Sequence, residues 1–464
     1  MVEKIYTHKF SVMFRKITDS NFYPLVVGAI ILTLYFLQWQ IVAFAVLGIL
    51  ASAIFLLHKD TRAVISNIML FHLVLCYHDD AVGTKAYSSI GAIIVYAVCG
   101  TLVLFSLAYN FFAYRKERKW TSGKLFKGFL GISLAFLVGG LFTEYYSIKN
   151  LVTGITLTIC YLVVYIVVFQ TIGNRQDNLK YVATVMAVAG SIMVLQVLHI
   201  YLTRYTQGVP LNSEWKDKVV VGWGISNTVG EFMTMLMPAI FYLIYKQRRG
   251  GYYYILVVLM IVAVYLTLSR NALLFGIPTL VCGVIVNCIK GENKKASRII
   301  AVFLGLAGIM LLIIGLSTGL FANLLAFFKE AGFSDRGRFG IWKDWMKLFP
   351  QSPIIGVGFR AYRIVHNVSF GVNAHNTLVQ MLAGTGILGF LLYAYHRYET
   401  VLLFVKKPSI ERLIFGSVAI VGVLEALLDP IFFSQYFAIY YTITLLVVEK
   451  SSALDERAKI EHSQ

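Results

Sequence analysis

Charge is scarce in this sequence: 14% of its 464 residues are Asp, Glu, Lys or Arg, where soluble domains run nearer a quarter. That scarcity excludes an ordinary water-soluble body. With 58% hydrophobic residues and a mean hydropathy of +0.73, lipid is the expected solvent. Cysteine is also sparse. Cys76, Cys99, Cys160, Cys282 and Cys288 all fall inside apolar runs, without a C-x-x-C pair. They read as small hydrophobes and exclude a disulfide frame or a cysteine metal site. No internal repeat is visible, which weighs against an inverted-repeat transporter. No small-residue cleavage site follows the first apolar run, so an uncleaved first span is expected.

What the sequence does have is apolar runs, recurring from Phe22 to Val448. A helix needs roughly 20 such residues to cross a hydrocarbon core of ~30 Å. That criterion predicts an all-α polytopic membrane protein with about 12–14 transmembrane helices, spans near Met69, Ser133 and Val258 included. Only one polar stretch is long, so residues 1–464 read as a single membrane domain. The net charge of +18 would point to nucleic acid in a soluble protein. Here the basic residues instead cluster in alternate segments, such as Lys4 to Lys16, Arg115 to Lys127, Lys290 to Arg298 and Lys450 to Lys459. Alternation of this kind is the positive-inside signature. It predicts both termini in the cytoplasm and the bilayer, not nucleic acid, as partner.

One segment breaks the alternation. The outer loop at 320–374 carries Lys329, Arg336, Arg338, Lys343, Lys347, Arg360 and Arg363. Two readings are open: a solvated loop, since long loops translocate despite charge, or a cationic site for an anionic ligand. Within it, 334–349 predicts a short amphipathic helix capped by Ser334 or Asp335 and stopped by Pro350 and Pro353. Ile341, Trp342, Trp345 and Phe349 share one face of that helix, with Arg338 in its middle. Arginine's planar fork suits phosphate oxygens, and snorkelling along the membrane surface is the plainer alternative. In Pro353-Ile-Ile-Gly-Val-Gly-Phe359, Gly356 and Gly358 would let backbone or a ligand approach closely. No third glycine opens a helix after a strand, so a dinucleotide cofactor is not expected.

His375-Asn376 opens the next span, where His375, Leu378, Val379, Leu382 and Gly386 would share a helical face, and Gly386 and Gly389 would admit another helix. Histidine suits a general base taking a proton from an alcohol, and an interfacial hydrogen-bonding role is the alternative. Arg270, in Thr267-Leu-Ser-Arg270-Asn, lies at the outer bilayer boundary between two apolar runs. An ionisable residue there is a functional candidate or an interfacial anchor. Asn227 is as much a cap as a ligand contact, and Glu231 enters the next span where it could pair with an arginine. Outer acids are scattered apart from the adjacent Asp79 and Asp80, so metal-independent chemistry is expected.

Four pieces of the sequence together resemble the O-antigen ligase and polysaccharide polymerase superfamily of bacterial membrane glycosyltransferases. They are Ser269-Arg270 at the outer end of a span, Arg338-Phe-Gly-Ile-Trp342, Pro353 to Gly358, and His375-Asn376 followed after nine residues by Gly386-Ile-Leu-Gly389. The resemblance is confined to residues 223–395. It implies transfer of a glycan from a polyprenyl-pyrophosphate carrier to an acceptor hydroxyl, on the outer face of the bacterial cytoplasmic membrane. It further implies that Arg270 and Arg338 hold the pyrophosphate and that His375 serves the acceptor. Arg336, Arg360, Arg363, Asn376, Gly356 and Gly358 are the remaining candidates for substrate binding. No cofactor is implied. The acceptor is either a lipid-linked core or another repeat unit, and in the second case a chain-length regulator is an expected partner. A polyprenyl-linked oligosaccharide flippase is the rival reading, since it too needs outer cations.

Overall fold

The computed structural model describes residues 9–75, 89–118, 122–208, 219–317, 338–361, 373–406 and 408–463. It is 79% helical, as a chain must be where the bilayer offers no water to its backbone. The first helices are α1 (Lys9–Thr18), α2 (Tyr23–Phe36), α3 (Gln40–Leu57), α4 (Val64–Leu70), α5 (Ile90–Ala113) and α6 (Phe126–Val138). α7 (Ile148–Thr158) passes through a π turn at Ile159–Val163 into α8 (Val164–Thr171), and α9 (Asn178–Thr206) follows. A two-residue hairpin, β1 (Val220–Val221) on β2 (Gly224–Ile225), precedes α10 (Ser226–Lys246), α11 (Tyr253–Leu266), α12 (Arg270–Lys290) and α13 (Lys294–Ser317). The chain ends with α14 (Arg338–Leu348), α15 (Thr377–Val405), α16 (Ile410–Glu425) and α17 (Gln435–Ser463).

Among the described residues, eight helical stretches are long and apolar enough to cross a membrane, or nine if α1 and α2, bent by 93°, form one span. The stretches Val64–Val74, Phe126–Val138 and Gly250–Leu266 are apolar but shorter. At ~1.5 Å per residue none of these three crosses ~30 Å alone. Counting these three gives eleven or twelve spans, and α13 and α16 bring the number to thirteen or fourteen, so the expected twelve to fourteen is reached only with short or less apolar helices included. Burial orders the bundle. The apolar windows of α9, α10 and α17 are 78%, 89% and 83% buried, against 11% for α5. The first three form the core, and α5 turns residues such as Phe105 and Phe112 outward, as a lipid-facing helix should.

Two features depart from the helical reading. Arg397 lies within α15, its guanidinium 4.7, 4.0 and 4.9 Å from the Tyr393, Phe432 and Tyr441 rings. It also donates to the Tyr441 hydroxyl at 2.6 Å. The second departure is a break in α15 at Gly386, where φ is +67° and ψ −172°. A break inside a membrane helix strands backbone groups that lipid cannot satisfy. The loop at residues 353–359, the motif loop, satisfies them. Val357 and Gly358 donate N–H to the carbonyls of Ala383 and Gly384 at 3.0 and 2.8 Å. Ile387 and Leu388 donate in turn to the carbonyls of Pro353 and Ile354 at 2.8 and 3.0 Å.

The glycine spacing therefore admits a loop at Gly386. At Gly389 a helix does come close, since an added Cβ would stand 3.3 Å from the Ala135 Cβ on α6. A Cβ at Gly386 would stand 2.3 Å from the Ile354 carbonyl oxygen, in a backbone region essentially closed to other residues at a cost of about 1–3 kcal/mol. Gly386→Ala should therefore lower the thermal unfolding temperature clearly. Gly305→Ala, in α13 with open space around it, should leave it unchanged or raise it slightly by helix propensity. Equal behaviour of the two would sink the account of the break.

Candidate active site

The site is assembled at one end of α10, α12 and α16, where α14 and the start of α15 close over it. α12 begins after a turn in which Leu268 has a φ of +54°. Ser269 caps the helix by accepting from the Ala272 N–H at 3.4 Å. Arg270 is the first residue of α12 and is exposed. Its neighbour Asn271 points inward and is buried.

Arg338, the first residue of α14, does not remain among the aromatic side chains of its own helix. Its Nη1 donates to Asn271 Oδ1 at 2.9 Å, and Asn271 Nδ2 donates to Glu231 Oε1 at 3.3 Å. Glu231 is thus linked to an arginine as its position invited, through an asparagine that bonds both. The aromatic face does separate work. Trp345 is fully buried with Leu348, Val357, Ala361, Ala374 and Ala383, so it clamps α14 to the motif loop and to α15. Packing of α14 fixes where the helix starts, and Asn271 fixes where the guanidinium goes.

His375 precedes α15 and is not part of its helical face. Its φ is +48°, and Asn376 is the cap, accepting from the Val379 N–H at 3.1 Å and donating to the Leu427 carbonyl at 2.9 Å. The cap and the Thr377 N–H bond to Ala426 O at 2.9 Å pin His375 against the turn that follows α16. There His375 Nδ1 stands 3.5 Å from Asp429 Oδ2, within ion-pair reach but longer than a good hydrogen bond. An Nδ1–H turned to Asp429 leaves Nε2 as the nitrogen with a free lone pair.

Two further acids complete the cluster. Glu231 is 1% and Glu425 0% exposed, and both act electrostatically with Asp429 and Arg338. Neither acid makes an ion pair with the guanidinium: Glu231 reaches Arg338 through Asn271, and both Glu425 carboxyl oxygens are buried without a hydrogen bond among the described residues. Asn271 and Glu425 were not singled out by sequence, and Asp429 stood only among scattered acids. The available signals were slight: Asn271 follows the Ser269-Arg270 motif, and Asp429 precedes a proline after an apolar run.

Of the other candidates, Gly356 and Gly358 have φ of +71° and +99° and pack in the backbone lock with α15, while Asn376 works as a cap. Arg360 lines a separate cavity with Asp429. Arg336 and Arg363 lie outside the described residues, as do Ser334, Asp335, Asp79 and Asp80.

Residues 255–394 match the family model described as O-antigen ligase. Over that stretch the chain is similar to the O-antigen ligase family. The match includes Arg270, Asn271, Arg338, residues 353–359, His375 and the α15 break, while Glu231 on α10, Glu425 on α16 and Asp429 in the turn after α16 lie outside it. No match to a curated protein was found. The family supports an O-antigen ligase- or polymerase-type role in glycan biosynthesis, with lipid-linked glycan substrates at a bacterial inner membrane.

The link through Asn271 is testable by itself. Asn271→Ala should weaken binding of undecaprenyl pyrophosphate by roughly tenfold or more, the worth of a hydrogen bond to a charged group, because Arg338 loses the group that aims it. An affinity equal to wild type, measured by titration in detergent, would mean that Asn271 does not position Arg338 for phosphate.

Proposed function

We propose that the protein transfers a glycan from a polyprenyl-pyrophosphate carrier to an acceptor hydroxyl at the outer face of the membrane, with both chain termini in the cytoplasm. The observation that carries this reading is that Arg338, from within the long outer loop, and His375, directly after it, flank the acids Glu231, Glu425 and Asp429. Phosphate chemistry needs a fixed cation, transfer to an alcohol needs a base, and the two stand in one site.

In the proposed step the acceptor O–H proton passes to His375 Nε2. The oxygen's electron pair forms the new bond to the sugar's anomeric carbon. The bond from that carbon to the pyrophosphate oxygen breaks, its electron pair leaving with the lipid pyrophosphate. A single displacement inverts the anomeric centre. Charge grows on the departing pyrophosphate, where Arg338 and Arg270 stabilise it without any proton transfer. Asp429 orients the imidazole and stabilises the imidazolium. No metal is assigned a part, and transfer should survive EDTA.

A second cavity supports a lipid-borne donor. It measures about 340 Å³, lies among α10, α12 and α16, and is lined largely by apolar side chains such as Phe241, Phe275, Pro278 and Leu424. The same three helices carry Glu231, Asn271 and Glu425. The test is reconstitution of the purified protein in liposomes with undecaprenyl-pyrophosphate-linked glycans extracted from the producing strain. Longer or transferred glycan, lost in the Arg338→Ala and His375→Ala variants, is the expected result. Full activity in both variants would overturn the proposal.

A further inference from the structure

Beyond the His375–Asp429 pair lies a cavity of about 200 Å³ that the step above does not use. Thr228 of α10, Arg360, Asn373, Asp429 and Ser434 give it a polar lining. Phe359 and Phe433 give it an aromatic one: their rings lie 5.5 Å apart, and both pack on Phe136 at 5.9 and 5.5 Å. The shape is held by Gln380, which donates to the Phe359 carbonyl at 2.9 Å and accepts from the Ala374 N–H at 3.1 Å. Both hydrogen-bonding ends of that buried amide are thereby spent on backbone, which makes it a wall of the cavity.

The lining selects an occupant. Pockets for drug-sized ligands run to roughly 300–1,000 Å³, so this cavity suits one six-membered ring. A lipid chain would offer no hydrogen-bonding groups to Thr228, Asn373 and Ser434. A pyranose matches both linings, with its C–H face on the aromatic rings and its hydroxyls against planar groups that donate and accept. Position supports the same choice: Asp429 lines the cavity and also faces His375 Nδ1, so a ring held here lies one side chain away from the base.

We propose that this cavity is the acceptor subsite, holding the single sugar ring whose hydroxyl is glycosylated; the assignment rests on the transfer reading above. Donor and acceptor are then separated by chemistry. The pyrophosphate belongs to Arg338 and Arg270, and the acceptor ring belongs to Asn373, Ser434, Thr228 and Arg360.

The test is saturation-transfer NMR on the purified, detergent-solubilised protein with methyl glycosides of glucose, galactose, mannose, rhamnose, N-acetylglucosamine and glucuronate. At least one glycoside should receive saturation from the wild-type protein. Asn373→Ala with Ser434→Ala should weaken its binding at least tenfold, since each change removes a hydrogen-bonding group. Thr228→Val is a second, nearly isosteric variant for use if the first unfolds, with thermal unfolding as the check. His375→Ala should still bind the glycoside while losing transfer. No saturation of any glycoside, or equal binding by a folded cavity variant, would overturn the subsite. If His375→Ala then still abolishes transfer, the subsite alone falls. If His375→Ala keeps transfer, the transfer reading falls instead.

Discussion

His375→Ala should lower the rate of glycan transfer by about 10²–10⁴-fold, the usual contribution of a positioned general base. Binding of the lipid pyrophosphate should change little, because in the proposed step the imidazole serves the acceptor and not the donor. The structure supplies the reason for a loss in rate. His375 is held by what flanks it: the Asn376 cap bonds to Leu427 and Val379, and Nδ1 faces Asp429. Such a residue is pre-oriented, and rate is what pre-orientation serves. Asp429→Asn should cause a smaller fall, since the imidazole would remain while losing the charge that steadies its protonated form. The pair of variants separates a base from a merely packed histidine. A packed histidine would cost stability in both variants and leave the turnover of the folded fraction intact. Single-turnover kinetics beside thermal unfolding of each variant makes that distinction.

Arg338→Ala should lower transfer by about 10²–10³-fold, the range seen when one fixed donor to a developing anion is removed, and should weaken lipid-pyrophosphate binding as well. The two effects arise together because the guanidinium meets the part of the donor whose charge changes. Arg338→Lys should recover little. Lysine retains the charge, but it lacks the planar fork that can bond Asn271 and still present N–H groups to phosphate. Arg338→Ala also leaves Glu231 and Glu425 without the cation they act on, so some loss of stability is expected. The Asn271→Ala variant keeps that cation and removes its aim, together with the hydrogen bond to Glu231. If Arg338→Ala impaired transfer while the donor affinity of both variants equalled wild type, Arg338 would be a structural cation and not a phosphate ligand.

The legible parts of the site were those with local signatures. Hydropathy is a local property that adds along the chain, so residues 1–464 announced a helical membrane protein. The surplus of arginine in 320–374 and the spacing from His375 to Gly389 are also properties of contiguous sequence. They marked out the loop at 320–374, pointed to a family and singled out Arg270, Arg338 and His375. Helical periodicity misled at one point, where it placed His375 on the face of a helix that begins two residues later. The positive φ at His375 answers to the turn after α16, which no window around residue 375 contains.

The amino-acid sequence by itself therefore determined the solvent, the helical class and the residue types in the outer loop. Tertiary structure alone decided their company. Arg338 and Asn271 are 67 positions apart, and the acids Glu231, Glu425 and Asp429 come from α10 and the end of α16. Side chains so far apart in sequence have no shared periodicity to betray them; only the packing of α10, α12 and α16, closed over by α14 and the motif loop, brings them into one site. The same holds for Gly386, whose spacing suggested helix contact, whereas the bundle uses it to break a helix and spend the freed backbone groups on the loop that carries Gly356 and Gly358.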